Sequence, residues 1–262
     1  MSLVLGLPHN PEVLSFPEPE TTGHYGTISP KYKPYAHQWR AVENAVNGLL
    51  GCGFHALFME MGTGKTKATL DSWSILARKG FTDSLLIIAP KSLVSTWESE
   101  EIPKHLCTPA RVLSWDGKTT KKSRAAFEEF FSSQDPIIYI ANTEAFQSLN
   151  EELRERISRI LRGRKTVLAV DESSMVKSAD AKRSKNIKAA AALAKGRLIL
   201  TGTETSKSPL DLYMQFEVLK SGFWGVRSFY TFRLSYAILE DVYGPGGRVF
   251  RKVKVVGYQK IG

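Results

Sequence analysis

Glu60-Met61-Gly62-Thr63-Gly64-Lys65-Thr66 stands between a short apolar run, Ala56-Leu57-Phe58-Met59, and a stretch of helical character from Thr66 to Ala77. A strand entering and a helix leaving is the context in which a Gly-x-Gly-Lys-Thr core cradles phosphate. The glycines let backbone N–H groups turn toward a phosphate without side-chain clash. The start of the helix adds the positive end of its dipole. Lys65 can reach the β- and γ-phosphates, and the Thr66 hydroxyl can ligate Mg²⁺. The general pattern has Gly five residues before Gly64, where Met59 stands. The alternative reading is a flexible turn that carries one lysine.

Working outward, apolar runs alternate with helical stretches. Tyr35 to Leu50 reads as a helix, with Ala41, Val42, Ala45, Val46 and Leu49 on one face. Strands are expected at Leu85–Ala89, Arg111–Ser114, Ile137–Ala141, Thr166–Val170 and Arg197–Thr201. Helices are expected at Leu93–His105, Lys122–Phe131, Glu151–Arg162, Ser184–Ala194 and Leu210–Leu219. Strands without polar alternation, separated by helices, imply an α/β fold: a mainly parallel sheet of about seven strands with helices on both faces. Residues 1–30, with five prolines and no sustained period, read as an irregular arm. Toward the end, Tyr236–Tyr243 and Val249–Val256 flank Gly244-Pro245-Gly246-Gly247 and read as a β-hairpin. The expected organisation is therefore an arm (1–30), an ATP-binding domain (31–226), and a hairpin with a linker (227–262).

A second constellation lies about 100 residues after the loop. Val167-Leu168-Ala169-Val170-Asp171-Glu172 puts two carboxylates at the C-terminal end of an apolar strand, the edge where open α/β sheets bind ligands. Asp171 would hold Mg²⁺, and Glu172 could orient and activate water. A solvated turn or helix cap is the plainer reading of such a pair.

Composition sets the class. Of 262 residues, 42% are hydrophobic and 24% charged, an ordinary globular balance. No apolar run approaches the roughly 20 residues that span a bilayer, and the N-terminus makes a poor signal peptide. Two cysteines and five scattered histidines give neither a disulfide scaffold nor a closed zinc site, so an intracellular compartment without membrane contact is expected. The net charge of +10 is uneven: residues 1–150 carry −1 and residues 151–262 carry +11. A basic half suggests a polyanionic partner, or simply a solubilising surface.

Together these residues resemble the first RecA-like domain of a superfamily 2 helicase motor, within the SWI/SNF-type group and its small phage-like members. Pro34-Tyr35-Ala36-His37-Gln38 resembles the element upstream of the loop, in which Gln38 would read adenine. Glu60 to Thr66 resembles the first motif, with Met61, Gly62, Thr63, Gly64, Lys65 and Thr66 at the nucleotide. Ala89-Pro90-Lys91-Ser92-Leu93, followed by Trp97 and Glu100, and Ala141-Asn142-Thr143-Glu144 resemble motifs that touch a nucleic-acid backbone. They mark Lys91, Ser92, Asn142 and Thr143 as contacts. Asp171-Glu172-Ser173-Ser174 resembles the acidic box. Leu200-Thr201-Gly202-Thr203 resembles the motif that couples hydrolysis to motion. Ser174 replaces the family's usual His, and Glu204 replaces a frequent Pro.

The resemblance implies a P-loop NTPase (RecA-like) fold with ATP and Mg²⁺ as cofactors, and DNA, duplex rather than RNA, as partner. It implies ATP hydrolysis driving movement on, or remodelling of, duplex DNA. In the family a second RecA-like domain supplies arginines to the γ-phosphate. No room remains for it after the hairpin, so the chain is expected to be the ATP-binding half of a motor. The other half would lie in the same full-length chain or in another chain. Weak turnover is expected of the isolated half. Two rivals remain at this stage. A small P-loop phosphoryl-transfer kinase would need an arginine lid and an acceptor pocket. A nucleotide-gated DNA-binding scaffold would bind without turnover.

Overall fold

The computed structural model describes residues 25, 28–202, 208–226, 228–242 and 252–258. Six parallel strands form one open sheet in the order β1-β6-β5-β2-β4-β3: β1 (Phe54–Phe58), β2 (Ser84–Ala89), β3 (Arg111–Ser114), β4 (Ile137–Asn142), β5 (Thr166–Val170) and β6 (Gly196–Thr201). Between them run α1 (Ala36–Cys52, preceding β1), α2 (Lys65–Arg78), α3 (Lys91–Thr96), α4 (Ile102–His105), α5 (Lys121–Phe131), α6 (Glu151–Gly163) and α7 (Lys182–Ala191). After β6 come α8 (Leu212–Leu219) and α9 (Phe229–Tyr236). The count in this sheet is six rather than the expected seven. Antiparallel β7 (Ala237–Val242) and β8 (Lys252–Tyr258) make a separate two-stranded sheet. The glycine-rich turn expected between them lies outside the described residues.

The period of two along each strand explains the layers. Leu85, Ile87 and Ala89 of β2 pack with Val42, Val46, Leu49, Leu70, Trp73 and Ile75 of α1 and α2. Leu86 and Ile88 point the other way, into Phe127, Phe130, Leu153, Ile157, Ile187 and Phe216 from α5 to α8. Both faces are covered, so β2 and β5 are apolar almost throughout and fully buried. Two residues assigned to the arm from composition belong to the core. Tyr25 and Ile28 are 1% and 2% exposed, and the Tyr25 ring stacks on Trp39 at 4.5 Å.

One buried polar cluster ties this layer together. Lys67 and Asp71, one helical turn apart on α2, form an ion pair, and the Tyr25 hydroxyl donates to Asp71 Oδ2 at 2.9 Å. Burial raises the Asp71 carboxyl, while the Lys67 ammonium and the Tyr25 hydroxyl hold it down. Lys67→Ala would leave Asp71 enclosed beside no cation, at a cost of about 3–5 kcal/mol. Urea unfolding should show that loss, and Lys67→Ala with Asp71→Ala should be less harmful than the single change. A double variant as damaged as the sum of the two singles would contradict the pairing.

Two imidazoles are held neutral. Burial pushes His55 of β1 down to about 4. Burial, then Lys67, Lys104 and Lys31, push His105 down to about 4, so its 3.6 Å contact with Glu101 is not a charged pair. The unfolded value is about 6.5. Protonation therefore favours the unfolded chain, and this contribution to stability is lost as pH falls from 6.5 toward 4. Melting temperature should drop more steeply between pH 7.5 and 5 in the wild type than in a His55→Gln, His105→Gln variant. Equal slopes would refute the assignment.

Candidate active site

Because the strands are parallel and in register, their carboxyl ends form one edge. Phe58 pairs with Thr201, Ile88 with Val170, and Ala89 with Asn142. The residues that follow each strand are thereby brought together: the loop 59–64 after β1, Lys91 after β2, Thr143 after β4, Asp171 and Glu172 after β5, and Gly202 after β6.

The loop has the backbone the sequence demands. Gly62 and Gly64 take φ of 78° and 94°, a left-handed region costly for residues with a Cβ. Thr63 closes a turn, its Oγ1 donating to Glu60 O at 2.7 Å. Lys65 Nζ donates to Met59 O at 2.8 Å and Glu60 O at 3.1 Å, so the ammonium lies over the loop. Met61 stands out at 84% exposure. Gly202 lies against the loop: a Cβ there would stand 3.0 Å from Met61 Cγ and 3.5 Å from Lys65 Nζ.

Gln38 is buried and clamps α1 to this loop. Its Nε2 donates to Thr63 O at 3.0 Å, and its Oε1 accepts the Tyr35 N–H at 3.2 Å. His37 Nε2 also meets Thr63 O at 3.0 Å. Tyr35 is exposed and stacks on the His37 ring with planes 10° apart.

Asp171 and Glu172 have different surroundings. Asp171 is 9% exposed, and its N–H donates to Ile88 O at 2.8 Å. Burial pushes its carboxyl up, against the Trp97 N–H, the Glu172 N–H and the charge of Lys65. Asp171 has no lysine or arginine ion-pair partner among the described residues. A buried carboxylate of this kind suits a hard divalent cation, and the Thr66 hydroxyl at the start of α2 has the matching oxygen chemistry. Glu172 takes φ 47°, the left-handed conformation, which costs a non-glycine residue about 1–3 kcal/mol. That twist turns its side chain toward β6. Glu172 Oε1 accepts from Ser174 Oγ at 2.6 Å and from Thr201 Oγ1 at 3.4 Å. Ser173 Oγ donates to Gln215 Oε1 at 2.6 Å. The acidic box is thus joined to β6 and α8 without the histidine that Ser174 replaces. Thr203 lies outside the described residues.

The four strand-contact candidates diverge. Lys91 and Ser92 are exposed at the start of α3, where the Lys91 N–H donates to Glu144 Oε2 at 3.0 Å. Asn142 is half-buried, and its Oδ1 accepts the Ala145 N–H at 2.7 Å as a cap. Thr143 is 0% exposed, which corrects its reading as a surface contact: it opens the 3₁₀ turn Thr143–Phe146 after β4, and that turn packs its side chain inward. Trp97, which follows the Lys91–Ser92 motif, is not at the surface. Its indole reaches Asp171 at 2.8 Å. No spacing in the sequence could have told that, because the partner lies 74 residues away.

A sheet edge that gathers a phosphate loop and an acidic pair defines the class of the chain: an α/β RecA-like P-loop domain. Residues 38–244 match the profile of the SNF2-related domain, and the chain belongs to that family. Solved structures are similar, two of them from one organism. The Sulfolobus solfataricus SWI2/SNF2 ATPase core in complex with dsDNA superposes with a TM-score of 0.61 at 21% identity, covering 85% of this chain and 41% of that one. The Sulfolobus solfataricus SWI2/SNF2 ATPase core domain gives 0.55 at 21%, covering 79% and 40%. At that identity the likeness concerns the fold. The chain spans about two-fifths of their length. No curated protein matches. No helix among the described residues is long and apolar enough to cross a membrane.

Proposed function

We propose that the chain is the ATP-binding half of an ATP-dependent DNA translocase, in which hydrolysis drives movement on or remodelling of duplex DNA. The observation that carries this is the junction at Glu172. One carboxylate, on the same sheet edge as the phosphate loop, accepts from Ser174 and from Thr201 at the end of β6, the strand next to the one that leads into the loop. Gln38 and the loop from Met61 to Thr66 bind the nucleotide. The loop N–H groups and Lys65 hold its phosphates. Thr66 and Asp171 would hold Mg²⁺, which supplies charge neutralisation on the phosphates. Glu172 orients the attacking water and accepts its proton. Thr201 and Gly202, with Thr203, carry the change toward α8.

Duplex DNA is the partner that the complexed Sulfolobus solfataricus core supports. Lys91 and Ser92 lie exposed on the same edge as the nucleotide loop, placed for phosphate contacts that carry no sequence information. A second RecA-like domain, in the same full-length chain or another, would complete the site. An arginine supplied from outside is worth about 10³–10⁵ in rate in related nucleotide hydrolases. Residues 31–226 are the proposed nucleotide domain, and 227–262 the hairpin and linker toward that partner.

Steady-state ATP hydrolysis with and without duplex DNA, beside equilibrium ATP binding, tests the reading. Lys65-dependent binding with slow turnover is expected of the chain alone. Strong DNA-stimulated turnover by the chain alone would overturn the need for a second domain. Absence of ATP binding by the folded chain would overturn the whole reading.

A further inference from the structure

The Asp171 carboxylate is fastened from outside its own strand. Trp97 Nε1 donates to Oδ2 at 2.8 Å, and the Glu172 N–H donates to Oδ1 at 2.9 Å. With one donor on each oxygen the carboxylate has a single orientation, and each oxygen keeps a lone pair for a cation. Trp97 opens an irregularity in its helix. Residues Trp97–Glu101 form a π-turn in which the Ile102 N–H bonds Trp97 O, five residues back. Such widened turns recur at functional sites. The π-turn continues α3, whose first residues are the exposed Lys91 and Ser92. One helical segment, 91–105, therefore joins the strand-end surface to the carboxylate.

We propose that Trp97 is a positioning residue for the metal-binding carboxylate: its indole N–H holds Asp171 in the orientation that a divalent cation on bound nucleotide requires. This rests on the nucleotide reading given above. A buried indole N–H needs a partner in any case, so positioning and core packing differ in whether loss of the donor alone changes the Mg²⁺ requirement. Trp97→Phe separates the two, since it keeps an aromatic ring in the core and removes the donor. Loss of an outer partner of a metal ligand typically weakens metal affinity about 10–100-fold.

The test titrates Mg²⁺ against binding of a fluorescent ATP analogue to the whole chain, and repeats the binding in EDTA. Trp97→Phe should need about 10-fold more Mg²⁺, while affinity in EDTA stays that of the wild type. In an Asp171→Asn background the same change should shift nothing further, because Trp97 acts through Asp171. An unchanged Mg²⁺ requirement in Trp97→Phe would overturn the proposal, and so would an equal shift with Asn at 171. A folded wild-type chain that binds no nucleotide would overturn the nucleotide reading itself, and this proposal with it. Should Trp97→Phe lose its fold, the wild type carries the test. The Trp97 indole N–H resonance should move on adding Mg²⁺ with nucleotide and stay in place with nucleotide in EDTA. A resonance blind to Mg²⁺ would overturn the proposal.

Discussion

Glu172→Gln is expected to leave ATP binding intact and to cut hydrolysis by about 10²–10⁴-fold, the range for removing a general base. The amide oxygen can still accept from Ser174, 2.6 Å from Oε1, and from Thr201, so the side chain should keep its place. What is lost is the capacity to take a proton from water. The left-handed backbone at φ 47° belongs to residue 172 and not to its carboxylate, so the substitution leaves that geometry unchanged. Single-turnover hydrolysis, measured with duplex DNA and with any partner domain that completes the site, gives the rate. ATP affinity, measured separately, gives the binding. Turnover equal to the wild type would remove Glu172 from the chemistry. Loss of binding together with rate would mean that the residue shapes the pocket instead.

Lys65→Ala is expected to weaken ATP binding by at least about 30-fold. Truncating one partner of a buried, hydrogen-bonded charge pair costs about 2–5 kcal/mol. The Lys65 ammonium is already over the loop, bonded to Met59 O and Glu60 O at 2.8 and 3.1 Å. Phosphate oxygens would replace carbonyls as its acceptors, a gain in charge without a long rearrangement. Because both present bonds go to backbone oxygens of a half-exposed loop, the change should alter the melting temperature little. Calorimetric titration with ATP, beside a melt, separates the two. Affinity equal to the wild type would refute the phosphate loop, however good its pattern.

Elements whose signal is local were legible in the chain. β5 was read with its observed bounds, Thr166–Val170, because an unbroken apolar run before two acids has one meaning in a parallel sheet. The Gly62–Thr66 loop was legible because left-handed glycines and a following helix leave their mark in consecutive residues. The helix expected at Leu93–His105 begins at Lys91 and widens into a π-turn at Trp97–Glu101. Its apolar period was visible, and the widening was not, because a single π-turn is rare and leaves the apolar spacing of the helix in place. Thr143 was placed at a surface by pattern and lies in the core by packing.

By itself, then, the sequence determined which residues could bind phosphate, which carboxylates could hold a cation or activate water, and that a parallel sheet would carry them. These follow from residue chemistry and from periods of 2 and 3.6 that neighbours along the chain share. Only the tertiary structure decided who meets whom. The parallel register sets the ends of five strands level, so that Thr201 touches Glu172 across 29 residues and Trp97 holds Asp171 across 74. It also made Lys67, Asp71 and Tyr25 one buried cluster, with Tyr25 46 residues from its partner. A hydrogen bond acts over about 3 Å, and distance along the chain has no bearing on it once the strands have assembled.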